Sequence, residues 1–233
     1  MIASNYEQRR SEIETYFDRT AAEAWSRLTT DAPVGRIRQT VREGRDRMRA
    51  TLLDWLPQDL TGRRLLDAGC GTGALAFEAA LRGAEVVAMD LSPTLIDLAR
   101  QRLPAAVGEG RIEFLVGDMS NTGIGQFDHI VAMDSLIHYQ FDDTIRVIAD
   151  MAGKARHSIL FTFAPRTPLL GCMHAVGRVF PKSNRSPSIE PVAEQKLRDR
   201  LAAEPALAMW QSNRSTRISR GFYTSQAFEL VSQ

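Results

Sequence analysis

Leu65-Leu66-Asp67-Ala68-Gly69-Cys70-Gly71-Thr72-Gly73 is the stretch that decides the fold. An apolar run from Arg63 to Ala68 stops at a loop with Gly at every second position, and a helix-like segment, Ala74 to Leu81, follows. Strand, glycine turn and helix in that order make a nucleotide-type binding loop. Glycine lets the backbone take positive φ and approach a ligand closely. The helix start offers unpaired N–H groups to the same ligand.

Working outward, a regular alternation follows the loop. Glu85 to Met89 reads as a strand ending at Asp90, and Ser92-Pro93 as an N-cap with proline at the first helical position. A helix then runs to about Leu103. Further strands are expected over Ile112 to Val116, Phe127 to Met133 and His157 to Phe163, with Asp142 capping a helix to about Ala152. Another helix is expected from Val192 to Ala203. Ala206 to Ser212 and Ser215 to Phe228 are the last strand candidates, with Asn213-Arg214 as the turn of an antiparallel hairpin. The expected architecture is α/β: a seven-stranded, Rossmann-like, mostly parallel sheet with helices on both faces.

Two regions lie outside this core. Residues 1–57 read as an N-terminal helical arm or lid before a core spanning 58–233. Its first helix covers Ser11 to Leu28, and its second carries apolar residues from Val34 to Leu56 before Pro57 stops it. The second helix also carries Arg36, Arg38, Arg42, Arg45, Arg47 and Arg49. These form either a solvated face or an anion-facing wall beside an active-site mouth. Residues 165–191, rich in proline and basic side chains, read as a long insert that caps a binding site or packs as a helix on the sheet.

Composition narrows the classes. The chain has 233 residues, 44% hydrophobic and 24% charged, with a formal net charge of +1. That balance gives no global field for nucleic acid, and none is expected as a partner. Two cysteines, Cys70 and Cys172, have no metal-ligand spacing; no resident metal is expected, and a reducing cytoplasmic setting fits. No run of about 18 apolar residues suggests a transmembrane segment, and no secretion signal is evident at the N-terminus.

The loop alone does not choose its nucleotide, because Gly69, Gly71 and Ala74 also satisfy a dinucleotide fingerprint. Asp67 shifts the balance: a carboxylate there repels a pyrophosphate and attracts the cationic amino-acid end of S-adenosylmethionine. Asp90 is placed to accept ribose hydroxyls and Asp118 to meet an adenine amino group. Three acids at successive strand ends form one site. The arrangement resembles the class I S-adenosylmethionine-dependent methyltransferases, with Leu66 to Gly73 close to their first motif. Donor contacts are accordingly expected from Asp67, Gly69, Cys70, Gly71 and Gly73 of the loop, Asp90 and Leu91, Gly117, Asp118 and Met119, and Asp134.

The acceptor is indicated by other segments. Tyr16-Phe17-Asp18 with Trp25, Asp134-Ser135-Leu136-Ile137-His138-Tyr139 and Phe163-Ala164-Pro165-Arg166-Thr167 resemble the magnesium-protoporphyrin IX methyltransferases. Phe180-Pro181-Lys182 and Ser188 to Val192 lean towards the type found in purple photosynthetic bacteria. Two positions depart from that pattern: Asp18 where the family usually has Asn, and Gln140 where it usually has Pro. The resemblance implies methyl esterification of one propionate of magnesium-protoporphyrin IX in bacteriochlorophyll synthesis, with magnesium present only inside the substrate. It further implies transient contact with magnesium chelatase and peripheral membrane association. His138, Tyr139 and Tyr16 are the expected catalytic residues, although Tyr16 also reads as a core aromatic and His138 as a loop histidine. Arg166, Met173, Phe180, Lys182 and Arg185 are the expected acceptor contacts. A methyltransferase of a quinone precursor and an NAD-dependent oxidoreductase stand as alternatives; the latter is disfavoured by Asp67.

Overall fold

In the computed structural model, residues 2–21, 35–104, 107–120, 122–166 and 189–233 are described. Helix α1 (Ile2–Thr15) continues into a wider turn over Tyr16–Ala21, and α2 (Arg36–Trp55) follows. The alternating core then runs β1 (Arg64–Ala68), α3 (Ala74–Leu81), β2 (Glu85–Asp90), α4 (Pro93–Arg102), β3 (Arg111–Val116) and β4 (Phe127–Ala132). It continues with α5 (Phe141–Ala152), β5 (Ala155–Phe163), α6 (Glu194–Ala202), β6 (Trp210–Arg220) and β7 (Tyr223–Ser232). The seven strands form one sheet in the order β3-β2-β1-β4-β5-β7-β6. Strands β1 to β5 are mutually parallel, and the terminal hairpin adds antiparallel to β5 through β7.

Side-chain alternation decides which helices cover which face. Leu66, Val87, Met89, Ile130, Ile159 and Phe161 point to the layer shared with Ile145, Ile148, Met151, Leu197 and Leu201 of α5 and α6. Their neighbours Leu65, Val86, Ala88, Val131 and Leu160 point to the opposite layer, with Met48, Leu52 and Leu53 of α2, Ala76 and Ala80 of α3 and Ile96 of α4. Because both faces are covered, the central strands read as continuous apolar runs rather than alternating ones. Ser92 caps α4, its Oγ accepting the Leu95 N–H at 3.2 Å with proline at the first turn.

Three expectations are revised. The first helix begins at Ile2 rather than Ser11. Helix α5 starts after Gln140, so Asp142 sits inside its first turn and caps nothing. The hairpin turn is at Gly221-Phe222, between the paired Arg220 and Tyr223, and Asn213-Arg214 instead forms a register shift within β6. The cause is Glu229 on β7, buried at 2% exposure. Arg214 donates to both of its carboxylate oxygens at 2.6 Å, and Asn213 donates at 2.8 Å. A buried carboxylate needs such partners, so these polar residues stay in the strand.

At the other end of the sheet from the strand C-termini, His129 is buried with Nδ1 2.8 Å from Ser158 Oγ. Burial first, then the neighbouring His157, lowers its pKa to about 4. Below the ordinary value of 6.5 the unfolded chain takes up a proton that the folded chain refuses, so stability falls as pH drops from about 6.5 towards 4. His129→Gln should flatten that part of a urea-midpoint profile by on the order of 2 kcal/mol. An unchanged slope would assign the acid sensitivity elsewhere.

Candidate active site

The strand C-termini open into a cavity of about 280 Å³ lined by the glycine loop, the ends of β2 and β3, the segment after β4, α2 and the N-terminal arm. The loop is strapped to β2. Gly69 and Cys70 N–H groups donate to Met89 O at 2.8 and 3.0 Å, and Gly71 N–H donates to Asp90 Oδ2 at 2.8 Å. Asp90 Oδ1 accepts the Ser92 N–H at 3.0 Å. Asp90 therefore shapes the loop as well as lining the cavity, and burial raises its carboxyl pKa. Asp67 forms part of the floor. Its Oδ2 accepts the Ala76 N–H at 3.1 Å, one of the donors left over at the start of α3. Burial pushes its carboxyl up to about 7, opposed by that N–H and reinforced by the charge of Asp90. The same burial, with the two carboxylates nearby, holds the Cys70 thiol well above its ordinary value, so it stays protonated and is not a nucleophile.

Asp118 is clasped by the N-terminal arm. Both of its oxygens accept the Tyr6 hydroxyl at 3.0 Å, Arg10 Nη1 lies at 3.4 Å, and Ser120 donates from N and Oγ at 2.9 and 2.7 Å. Its neighbours Gly117 and Met119 line the cavity and Asp118 does not. Burial, and then the Asp118 charge, push the Tyr6 phenol up to about 12, so it remains a donor.

The arm makes two further clasps. Arg9 Nε donates to His138 O at 2.8 Å, and Asp18 Oδ1 accepts from Ser92 Oγ and Thr94 N–H, each at 3.1 Å. Asp18 thus lies at the N-terminus of α4, where a carboxylate is favoured. An asparagine carbonyl would accept the same bonds. Ile13 and Phe17 line the cavity from above. Tyr16 does not; it meets Phe17 edge-on at 5.2 Å.

After β4 the chain bends sharply. Asp134 has φ +53, a left-handed conformation uncommon outside glycine. Its carboxylate accepts Arg45 Nη1 at 2.8 Å, the Tyr223 hydroxyl at 3.1 Å, Ser225 Oγ at 3.0 Å and Thr162 Oγ1 at 3.2 Å. The next residue, Ser135, donates from Oγ to Ala68 O at 2.9 Å. His138 and Tyr139 follow, both buried and both on the lining. Tyr139 stacks on Tyr6 at 5.4 Å and Phe17 meets His138 edge-on at 5.6 Å. Burial raises the Tyr139 pKa, which keeps its hydroxyl protonated.

The structure therefore brings together Asp67, Gly69, Cys70, Gly71, Asp90, Leu91, Gly117, Met119, Asp134, His138 and Tyr139 in one cavity. Gly73 and Asp118 stand just behind it. Gly73 is the left-handed cap of α3 at φ +78. Arg166 is exposed and off the lining. Met173, Phe180, Lys182, Arg185 and most of the 165–191 insert lie outside the described residues, as does Trp25. Sequence reasoning missed the roofing roles of Ile13 and Phe17 and the dependence of Asp134 on Tyr223, Ser225 and Thr162. For the arginines a signal existed: Arg42, Arg45 and Arg49, at steps of three and four, line the cavity, while Arg36, Arg38 and Arg47 are exposed.

A glycine loop between β1 and α3, acids at successive strand ends and an antiparallel hairpin at the sheet edge define an S-adenosylmethionine-dependent methyltransferase. The comparisons agree. Residues 65–156 match a methyltransferase domain model, and residues 132–232 match the model "Magnesium-protoporphyrin IX methyltransferase C-terminus". The chain is 49% identical to the magnesium-protoporphyrin O-methyltransferase of Rhodobacter capsulatus over 98% of its own length and 99% of that protein. It is 28% identical to the Synechocystis enzyme of the same name, over 94% of each chain. The crystal structure of magnesium protoporphyrin IX methyltransferase from Synechocystis PCC 6803 with bound SAH superposes with a TM-score of 0.83, at 26% identity over 96% of this chain and 99% of that one. The chain belongs to the magnesium-protoporphyrin O-methyltransferase family.

Proposed function

We propose that the protein transfers the methyl group of S-adenosylmethionine to a propionate carboxylate of magnesium-protoporphyrin IX, giving the monomethyl ester. The observation that carries this reading is one cavity in which the loop expected to hold the donor meets His138 and Tyr139. The chain-long family membership supports the choice of acceptor.

The bound donor supplies an electrophilic sulfonium methyl. A propionate resembles a Glu side chain, with pKa about 4.3, and is ionised at neutral pH. No residue has to remove a proton for the carboxylate oxygen to attack. The protein's work is alignment, worth roughly 7–11 kcal/mol when near-attack geometry is held, and exclusion of water. Asp67 and Asp90 favour the positive charge of the donor. His138, fixed by Arg9 on its carbonyl and by Phe17 against its ring, orients the carboxylate. Tyr139 donates a hydrogen bond from a phenol that stays protonated. The arm, residues 1–57, forms the roof through Ile13 and Phe17; Tyr16 acts on the site through Phe17. The 165–191 insert, with Met173, Phe180, Lys182 and Arg185, completes the acceptor side, and Arg166 stands at its root. Family resemblance supports transient contact with magnesium chelatase and a cytoplasmic protein peripheral to a membrane. Among the described residues no helix is long and apolar enough to cross one.

The direct test incubates purified protein with S-adenosylmethionine and magnesium-protoporphyrin IX and looks for the monomethyl ester by mass. Tight NAD binding without ester would overturn the reading. In the same assay His138→Ala should lower turnover by about 100-fold while leaving donor affinity within about threefold, as removal of an orienting group at the reacting centre does. Full turnover in that variant would take His138 out of the mechanism.

A further inference from the structure

We propose that Tyr6, on the N-terminal arm, is a positioning residue for methyl transfer: it takes up the hydroxyl proton of Tyr139 and leaves the Tyr139 oxygen as an acceptor towards the cavity. The inference rests on the reading of the cavity as the place where donor and propionate meet, and it adds a residue that stands outside the lining. Tyr6 belongs to α1 and does not line the cavity, whereas Tyr139 does. The two rings stack with centroids 5.4 Å apart and 21° between their planes. That nearly parallel stack brings the two phenols side by side, and their hydroxyls are hydrogen-bonded to each other.

Counting protons gives the direction of that bond. A tyrosine hydroxyl has one proton to donate and lone pairs to accept with. Tyr6 spends its proton on Asp118, whose two oxygens each lie 3.0 Å away. Asp118 returns none, because a carboxylate only accepts. Its place is fixed by Ser120, which donates from N and Oγ, and by Arg10 at 3.4 Å. Lys154, which reaches the neighbouring Met119 O at 3.4 Å, adds a second positive charge nearby. Towards Tyr139, then, Tyr6 has only lone pairs, and Tyr139 is the donor of the pair. The hydrogen bond that Tyr139 donates goes to the arm, and what it keeps for the cavity is a lone pair. A run of hydroxyls ending on a carboxylate polarises each member, so this oxygen is more negative than that of an isolated phenol. Two effects on the transfer step follow. The oxygen favours the polarised C–H groups of the sulfonium methyl and helps to hold that methyl in line. The proton of Tyr139 is also kept off the attacking propionate oxygen, whose nucleophilicity a hydrogen bond would lower.

The test measures steady-state ester formation, S-adenosylhomocysteine affinity by calorimetry and Tm for Tyr6→Phe, Tyr139→Phe and the double variant. Tyr6→Phe keeps the stacked ring and loses only the hydroxyl. It should lower kcat by about tenfold, the loss of one oriented hydrogen bond, and leave both KM values and S-adenosylhomocysteine affinity within about twofold. Tyr139→Phe should lower kcat at least as far. Adding Tyr6→Phe to it should then change kcat by less than about twofold, because Tyr6 acts only through Tyr139. Losses that multiply in the double variant would overturn the proposal. So would an unchanged kcat in Tyr6→Phe accompanied by lower Tm and weaker S-adenosylhomocysteine binding, which would make Tyr6 an anchor of the arm and nothing more. Should Tyr139→Phe fail to fold, the split between kcat and affinity in Tyr6→Phe decides alone. Absence of ester from the unaltered protein would instead sink the functional reading on which the relay depends.

Discussion

Gly69→Ala should reduce donor affinity by about 100-fold or more and lower Tm by about 5–15 °C. Two costs act together. Gly69 sits at φ +80, where a Cβ is strained by about 1–3 kcal/mol. A Cβ there would also lie 2.4 Å from Ser135 Cβ. That atom is fixed to the backbone, so no rotamer change relieves the overlap. The loop would have to move away from β2, breaking the Gly69 and Cys70 bonds to Met89 O. The double variant Gly69→Ala/Ser135→Gly removes the overlap and keeps the strain, and should recover part of the lost affinity. Calorimetry with S-adenosylhomocysteine measures both variants. Near-normal affinity in the single variant would show that the loop accommodates a side chain and that its close approach to the ligand is dispensable.

Gly44→Ala is expected to be nearly as harmful, although alanine is the better helix former by about 0.8–1.0 kcal/mol. A Cβ at Gly44 would be 2.4 Å from Tyr223 Cδ1 and 2.8 Å from Tyr223 Cβ. Gly44 lets α2 lie directly on the Tyr223 ring. Tyr223 cannot swing aside without giving up its bonds to Asp134, and its pKa is held up by burial, so its hydroxyl is a committed donor. Overpacking of this kind costs about 1–3 kcal/mol. The displaced helix would carry Arg45 and Arg49 away from the cavity. A fall in Tm of several degrees and in donor affinity by about tenfold are the expected readings. A rise in Tm would mean that helix propensity wins and that the contact is soft. In the background of Tyr223→Gly, which removes all three contacting atoms, the same substitution should cost much less, because the two sites share one contact.

What the sequence made legible was whatever depends on local order. The apolar run, the glycine loop and the acids at strand ends announce themselves through spacing, and the structure assembles them in the expected sheet. The Ser92-Pro93 start of α4 was equally plain. Long-range partners were not legible. Asn213-Arg214 has the chemistry of a turn until Glu229 is known to be buried opposite, whereas Gly221 marked the true turn. The bond from the Tyr6 hydroxyl to Asp118, 112 residues further on, has no sign in local spacing. Asp134 looked like a ligand contact, and its unusual backbone angle and four side-chain partners appear only in three dimensions. The arginine face of α2 posed two alternatives that only the direction of the helix separates.

The three clasps of the arm have a consequence in time. They fall on the exits of β2, β3 and β4: Ser92 and Thr94, Asp118, and the carbonyl of His138. The partners of two of them are 112 and 129 residues apart in sequence. None of the landing points exists until those three strands lie side by side, and closing such long loops is entropically costly before the sheet is formed. Residues that come before the core in the chain are thus expected to be among the last to settle. Substitutions at Tyr6 or Asp18 should then speed unfolding of the arm while leaving the refolding rate of the sheet unchanged.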